Sequence, residues 1–357
     1  GESVLVVPEV VVGRRDGVTW VTEIDPIGDG VDGAGDPRPA AGTHSVRSVV
    51  PVALPSRIRY SDGQLSVTGY REAVRRAVER LRANKLDKVV LAHDLIATTP
   101  EADGPIDPRY LLHGLAARYP NCWTFAVGGL VGATPELLLS RSGARLFSRV
   151  LAGTVWPHDD MDADALAADL LASAKNRVEH TFAANSLADT VRPFCAELTV
   201  AAEPSVLRLR NVLHLATEVH GLLAGDPSLL TLAGAAHPTA AVGGTPRDAA
   251  VALITELEGM DRGRYAGPVG WIDGSGDGEL GIALRCAQVN GNTVRLFAGC
   301  GIVADSDPDN EVAEAAAKLV PMRDALEATG SEATESRDTE SADTESRDTG
   351  SADTDRP

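Results

Sequence analysis

Apolar side chains recur at Val74, Ala77, Val78 and Leu81, with Arg and Glu between them. That spacing puts them on one stripe and predicts a helix over residues 69–84. The next run, KVVLAHDLI over 88–96, is rich in β-branched residues and predicts a strand. The same reading places a helix over 108–119 and strands over 122–127 and 137–140. The stretch 160–193 has almost no Gly or Pro, recurs in Ala, Leu and charge, and reads as helical.

Strands resume near Leu198 and Val206. A helix is expected over 246–257 with Pro246 in its first turn, then strands over 268–272, 281–289 and 293–298. The Gly/Asp run 273–278 lies between two of these strands and reads as a hairpin connection, not a phosphate loop. A last helix is expected over 309–326. At the N-terminus, Val-rich runs at 4–7, 10–12 and 18–21 read as short strands, followed by a Gly/Asp/Pro-rich loop at 28–42. Strands and helices mix without strict alternation, which argues for an α+β fold of large, mostly antiparallel sheets. Residues 1–330 show no clear linker and are expected to form one catalytic domain.

Charge changes one part of this picture. The net charge of -18 divides into -6 over residues 331–357 (nine Asp/Glu, three Arg) and -12 over the rest. The repeated ESRDT and SADT units of that tail carry no large apolar side chain, so it is expected to be a disordered acidic appendage. A chain this acidic is a poor binder of nucleic acid or of anionic membrane surfaces. The four cysteines are far apart and form no CxxC, which excludes a zinc ribbon and fits reduced thiols in a cytoplasmic protein. The N-terminus has no basic-then-apolar signal pattern, and Gly1 in place of Met leaves a trimmed start open. GxxxxGK[ST], HExxH and GxSxG are all missing.

Several side chains stand out on chemical grounds. Glu311, Glu314 and Lys318 share one face of the last helix, whose neighbouring positions are Val and Ala. Buried carboxylates there need a partner, and a hard cation is one. Glu136 follows Pro135 and precedes three Leu, so desolvation would raise its pKa as a general acid requires. Lys88 opens a β-branched strand and, if desolvated, can take a proton.

Taken in order, LDKVVLAH, GATPELLLSR, LAGTVWP, KNRVEH, LHLATEV, HPTAAVGGTP, LEGMDRGRYAGPVGW, GELGIALRCAQ, VRLFAGCGIV and the final ExxExxxK resemble the chorismate-utilising enzymes. That family includes isochorismate synthase, salicylate synthase, anthranilate synthase component one and aminodeoxychorismate synthase. The resemblance covers roughly residues 86–326. It implies a sandwich of antiparallel sheets with helices outside, chorismate as substrate and magnesium as cofactor. It also implies a monomer.

The resemblance assigns roles to named positions. Glu179 and Glu314 match magnesium ligands and Glu311 the acid beside them. Asn176 stands where many relatives have an acid. Arg285 and Lys318 match the cations that hold substrate carboxylates. Gly299 and Gly301 match a backbone that approaches the substrate, while Thr154, His214 and Tyr265 match pocket positions. Relatives that add water carry Lys at the Lys88 position, and those that add ammonia carry Gln. A lysine can deprotonate water and an amide cannot. The implied reaction is an isomerisation: Lys88 activates water for attack at C2 of chorismate, and Glu136 protonates the hydroxyl leaving C4. Tyr265 and Leu284 keep open the alternative of a salicylate synthase, which goes on to eliminate pyruvate. Either product leaves menaquinone and siderophore pathways open.

Overall fold

The computed structural model describes residues 3–15, 18–24, 52–83, 86–155, 162–209 and 212–328. The expected tail and the expected loop at 28–42 lie outside these residues. Two units separate, one over residues 2–51 and the other from Val52 onward. In the first, β1 (Val10–Arg15) and β2 (Val18–Glu23) pair as an antiparallel hairpin. The Val-rich run 4–7 forms no strand, because it has no ladder partner among the described residues.

The larger unit begins with β3 (Arg59–Asp62), α1 (Val67–Arg82), β4 (Lys88–Thr98) and α2 (Pro108–Arg118). Four strands follow: β5 (Trp123–Val127), β6 (Leu130–Thr134), β7 (Leu137–Ser142) and β8 (Arg145–Val155). Next come α3 (Ala163–Ala172), α4 (Ala174–Val191), β9 (Cys195–Val200), β10 (Ser205–Leu209) and β11 (Val212–Leu223). Then α5 (Leu229–Ala236), β12 (Gly244–Thr245) and α6 (Arg247–Glu258) precede β13 (Pro268–Ile272) and β14 (Gly278–Ile282). The described chain closes with β15 (Cys286–Asn290), β16 (Thr293–Ile302) and α7 (Pro308–Glu327).

Two antiparallel sheets result. One runs β10-β11-β8-β7-β14-β13, with β9 also on β11, and the other runs β12-β4-β16-β15-β6-β5, with β3 also on β4. Helices α1, α6 and α7 pack on strands of the β4 sheet, and α3, α4 and α5 on strands of the β11 sheet. Ala92, Cys286 and Phe297 of one sheet share a buried apolar cluster with Leu138, Leu139 and Ile282 of the other. The α+β sandwich with helices outside is therefore as expected. No helix among the described residues is long and apolar enough to cross a membrane.

Two features position the site. The chain passes from the β4 sheet to the β11 sheet at Pro135-Glu136, between β6 and β7. It passes back at Ala283-Leu284-Arg285, between β14 and β15. These crossovers lie side by side: Ile282 N–H donates to the Glu136 carbonyl at 3.1 Å, and Ala133 N–H donates to the Arg285 carbonyl at 3.2 Å. The strand expected over 281–289 is accordingly two strands. Arg285 takes φ +46°, a left-handed conformation outside the extended region that regular strands use.

Other elements also differ from expectation. The helical stretch over 160–193 is broken at Ser173, whose hydroxyl accepts the Asn176 N–H and caps α4. Pro246 stands at the N-cap of α6, just before the helix, because its extended backbone cannot enter the first turn. β6, β8, β11 and α5 had no sequence expectation. The last helix is only half-buried along its first turns, with Ala315 covered and Ala316 exposed.

Candidate active site

Between the crossovers, the start of β4, the middle of β16 and α7 lies a cavity of about 210 Å³. Lys88, Glu136, Thr154, His214, Tyr265, Arg285, Gly299, Gly301, Glu311, Glu314 and Lys318 all line it. Residues separated by up to 230 positions thus converge on one hollow. Glu179 lies on α4, whose backbone is described, but its side chain lies outside the described residues. Asn176, three residues earlier, does line the cavity, and its amide donates to the Ser173 hydroxyl at 3.0 Å.

Glu136 is 6% exposed. Burial pushes its carboxyl up to about 7, against the pull of Lys88, Arg285 and Lys318, which favour the charged form. A carboxyl at that value is divided between acid and carboxylate near neutral pH, as a proton donor requires. Lys88 opens β4 and is half-buried on the same cavity.

Positive charge comes from two elements. Arg285 sits on the second crossover. Lys318 projects from α7 to the Gly299 carbonyl at 3.0 Å and to Glu314 at 2.7 Å. Burial opposes the Lys318 charge, but Cys300 and Glu314 outweigh it and hold the ammonium above its ordinary range. Burial likewise works against the Glu314 carboxylate, and Lys318 and Arg285 outweigh it, so its pKa is lowered.

His214 and Thr154 face each other across β11 and β8, with Nδ1 and Oγ1 3.0 Å apart. Burial, then Arg285 and Lys318, drive the imidazole down to about 3, so it is neutral at physiological pH. Its Nε2 is buried without a hydrogen-bond partner. Tyr265 is buried, stacks on Phe297 with centroids 5.1 Å apart, and has its hydroxyl pushed up to about 12 by burial. Gly299 is needed for packing: a Cβ there would lie 2.7 Å from the Leu91 carbonyl oxygen.

Carboxylate oxygens of Glu311 and Glu314 and the Cys300 sulfur lie within 4.8 Å of one another. Burial pushes the Cys300 thiol up to about 12, and the thiol donates to the Glu311 carbonyl at 3.4 Å. The two carboxylates supply oxygen donors, which fit a hard cation such as magnesium.

Several lining groups carried no sequence expectation, among them Ala241, Val242 and Arg262. Arg262 pairs with buried Glu258, its Nη2 2.5 Å from the Glu258 Oε1. An acid and an arginine four apart across a helix-ending glycine, in LEGMDR, were the available signal.

The chain's likeness to known proteins agrees with this geometry. A sequence profile described as chorismate binding enzyme matches residues 44–327. The isochorismate synthase DhbC of Bacillus subtilis (strain 168) is 40% identical over 271 residues, 72% of this chain and 67% of that protein. The isochorismate synthase EntC of Escherichia coli (strain K12) is 40% identical over 261 residues, covering 71% and 66%. Among solved structures, the menaquinone-specific isochorismate synthase MenF of Escherichia coli superposes with a TM-score of 0.70 at 30% identity, over 79% of this chain and 66% of that one.

Proposed function

The chain belongs to the chorismate-binding enzyme family, and from that premise we propose that it is an isochorismate synthase, an isomerase that moves a hydroxyl group around the chorismate ring. Water adds at C2 and the C4 hydroxyl departs. The observation that carries this reading is Glu136: a buried carboxyl pushed up to about 7, lining the same cavity as Lys88. One group takes a proton from water while the other gives a proton to the leaving oxygen.

The roles divide by charge. Chorismate is a dianion, and Arg285 and Lys318 supply the cations that hold its carboxylates. Neutral His214 offers its unpartnered Nε2 as a hydrogen-bonding group without adding charge. Tyr265 gives the ring an apolar wall. Lys88 removes a proton from water at the C2 side, and Glu136 donates at the C4 oxygen. The proton count then balances, with one water consumed and one released. Lys88 must afterwards lose its proton and Glu136 regain one.

We assign Glu314 and Glu311, with Glu179 from α4, as the residues that hold magnesium. Bound there, the ion would neutralise a substrate carboxylate and draw electron density from the ring as it is attacked.

Incubating the protein with chorismate and magnesium and separating the products by chromatography tests the reading. Isochorismate is the expected product, in reversible equilibrium with chorismate. Salicylate and pyruvate as enzymatic products would instead make the chain a salicylate synthase. Anthranilate formed with ammonium would remove the argument from Lys88.

A further inference from the structure

The edge of β4 that faces α6 is paired in pieces. β12 covers its first two residues, with Thr245 opposite Lys88 and Gly244 opposite Val89, and Gly243 accepts the Val90 N–H at 2.7 Å. β3 covers the far end, from Leu95 to Thr98. Between them the Val90 carbonyl and the Ala92 N–H point at no strand. The Arg262 Nη2 donates to the Val90 carbonyl at 2.8 Å, and the Glu258 Oε1 accepts the Ala92 N–H at 2.7 Å. An ion pair takes the place of the missing strand.

The same pair reaches further. The Arg262 Nη1 donates to the Val242 carbonyl at 2.9 Å, which ties down the segment holding the cavity residues Ala241 and Val242. The Arg262 carbonyl accepts the Tyr265 N–H at 3.0 Å, at the base of the turn that carries the pocket tyrosine. The Arg262 Nε closes the pair on the Glu258 Oε2 at 2.9 Å. The Glu258 side chain is 1% exposed and that of Arg262 17%. Although Arg262 borders the cavity, Nε, Nη1 and Nη2 all bond protein atoms, so it is built to hold the wall rather than the substrate.

We propose that Glu258 and Arg262 are a positioning pair for Lys88: they clamp the start of β4 to the 241–242 segment and the Tyr265 turn, and so fix where the lysine amine stands. The inference rests on Lys88 acting as the base in the reading above. A buried ion pair bonded to backbone at both ends suits this role. It satisfies groups that would otherwise be orphaned, and it does so in one geometry.

The test uses the full chain with Glu258→Gln and, separately, Arg262→Lys. A lysine keeps the charge but cannot reach Val90, Val242 and Glu258 together. Each variant is compared with the unaltered chain by steady-state kinetics on chorismate across pH, by thermal unfolding, and by amide hydrogen exchange over residues 88–93 without substrate. We expect kcat to fall roughly 10- to 100-fold in both, as displacement of a catalytic group does. KM should change less than about threefold, since Arg285 and Lys318 sit on other elements. The pH–rate profile should shift, and exchange over 88–93 should rise.

An unchanged kcat in both variants overturns the proposal. So does a fall in kcat that tracks a rise in KM with an unmoved pH profile, the mark of a merely structural pair. If Glu258→Gln does not fold, Arg262→Lys decides by the same readouts. Failure of the isomerase reading appears in the unaltered chain as absence of isochorismate. The exchange measurement needs no turnover, and unchanged protection at Ala92 in that case sinks the clamp as well.

Discussion

Glu136 and Arg285 stand on neighbouring strand crossovers, their segments joined by backbone hydrogen bonds of 3.1 and 3.2 Å, and the guanidinium of one pulls on the titration of the other. Burial is the larger influence, so the carboxyl settles at about 7 instead of its usual 4.5. The fold thus sets the proposed proton donor and the proposed substrate-holding cation in fixed register.

Glu136→Gln should lower kcat by roughly 10²- to 10⁴-fold while leaving chorismate affinity close to that of the unaltered chain. Rapid-quench turnover with parallel binding measurements checks the split. A large loss of affinity with unchanged turnover would contradict the assignment.

The same carboxyl predicts two pH effects. In the proposed reaction its protonated form is the active one, so kcat/KM should decline as pH rises through about 7. Its raised value also destabilises the native state at high pH. Stability is intact below 4.5, falls as only the unfolded chain ionises, and is lost by about 3 kcal/mol once pH passes 7. Glu136→Gln should remove that loss. Denaturant unfolding at pH 5 and pH 8 measures it, and an equal pH response in both proteins would count against a buried neutral acid.

His214 should stay neutral across the working range. With its pKa driven to about 3, its ring resonances in NMR spectra should not titrate between pH 5 and pH 9. The native state should lose stability as pH falls from 6.5 toward 3, because the unfolded chain takes up the proton first. A titration midpoint near 6.5 would show an exposed imidazole.

Gly299→Ala should destabilise the protein by about 1–3 kcal/mol, since the added methyl meets the Leu91 carbonyl at 2.7 Å and backbone must give way. Equilibrium unfolding in denaturant reads the change. A stability within about 0.5 kcal/mol of the original would mean the strands part at small cost.

Chelation of divalent cations should abolish turnover, and magnesium should restore it. Glu314→Gln should raise the magnesium concentration needed for half-maximal activity by about tenfold or more, and weaken the metal's binding by calorimetry to match. Undiminished binding in that variant would move the ion away from α7.

Periodicity made α1 and α2 legible, and the β-branched run did the same for β4. The two helices bury one face against a local partner, whereas β4, buried at six successive positions, was legible from its residue types alone. Periodicity could not show the break at Arg285. The run from Gly281 to Val289 is apolar on both sides of that residue, because β14 and β15 are each packed in a different sheet. β11 was equally opaque: Val212 to Thr217 is buried over six successive positions and shows no alternation, and it lacks the β-branched run that marks β4. Of the site, the charged residues were legible through the resemblance of their motifs. Glu258 and Arg262 were not, because an acid and an arginine four apart read as an ordinary surface pair until β4 is seen to lack a neighbour there.

The two crossovers have a mechanical consequence. β6 continues into β7 and β14 into β15, so covalent backbone stitches the layers together at the cavity wall. Shear between the layers at that seam would have to drag Glu136 and Arg285 together. Substitutions that loosen the outer helices should therefore melt the protein before they alter the electrical coupling between those two side chains.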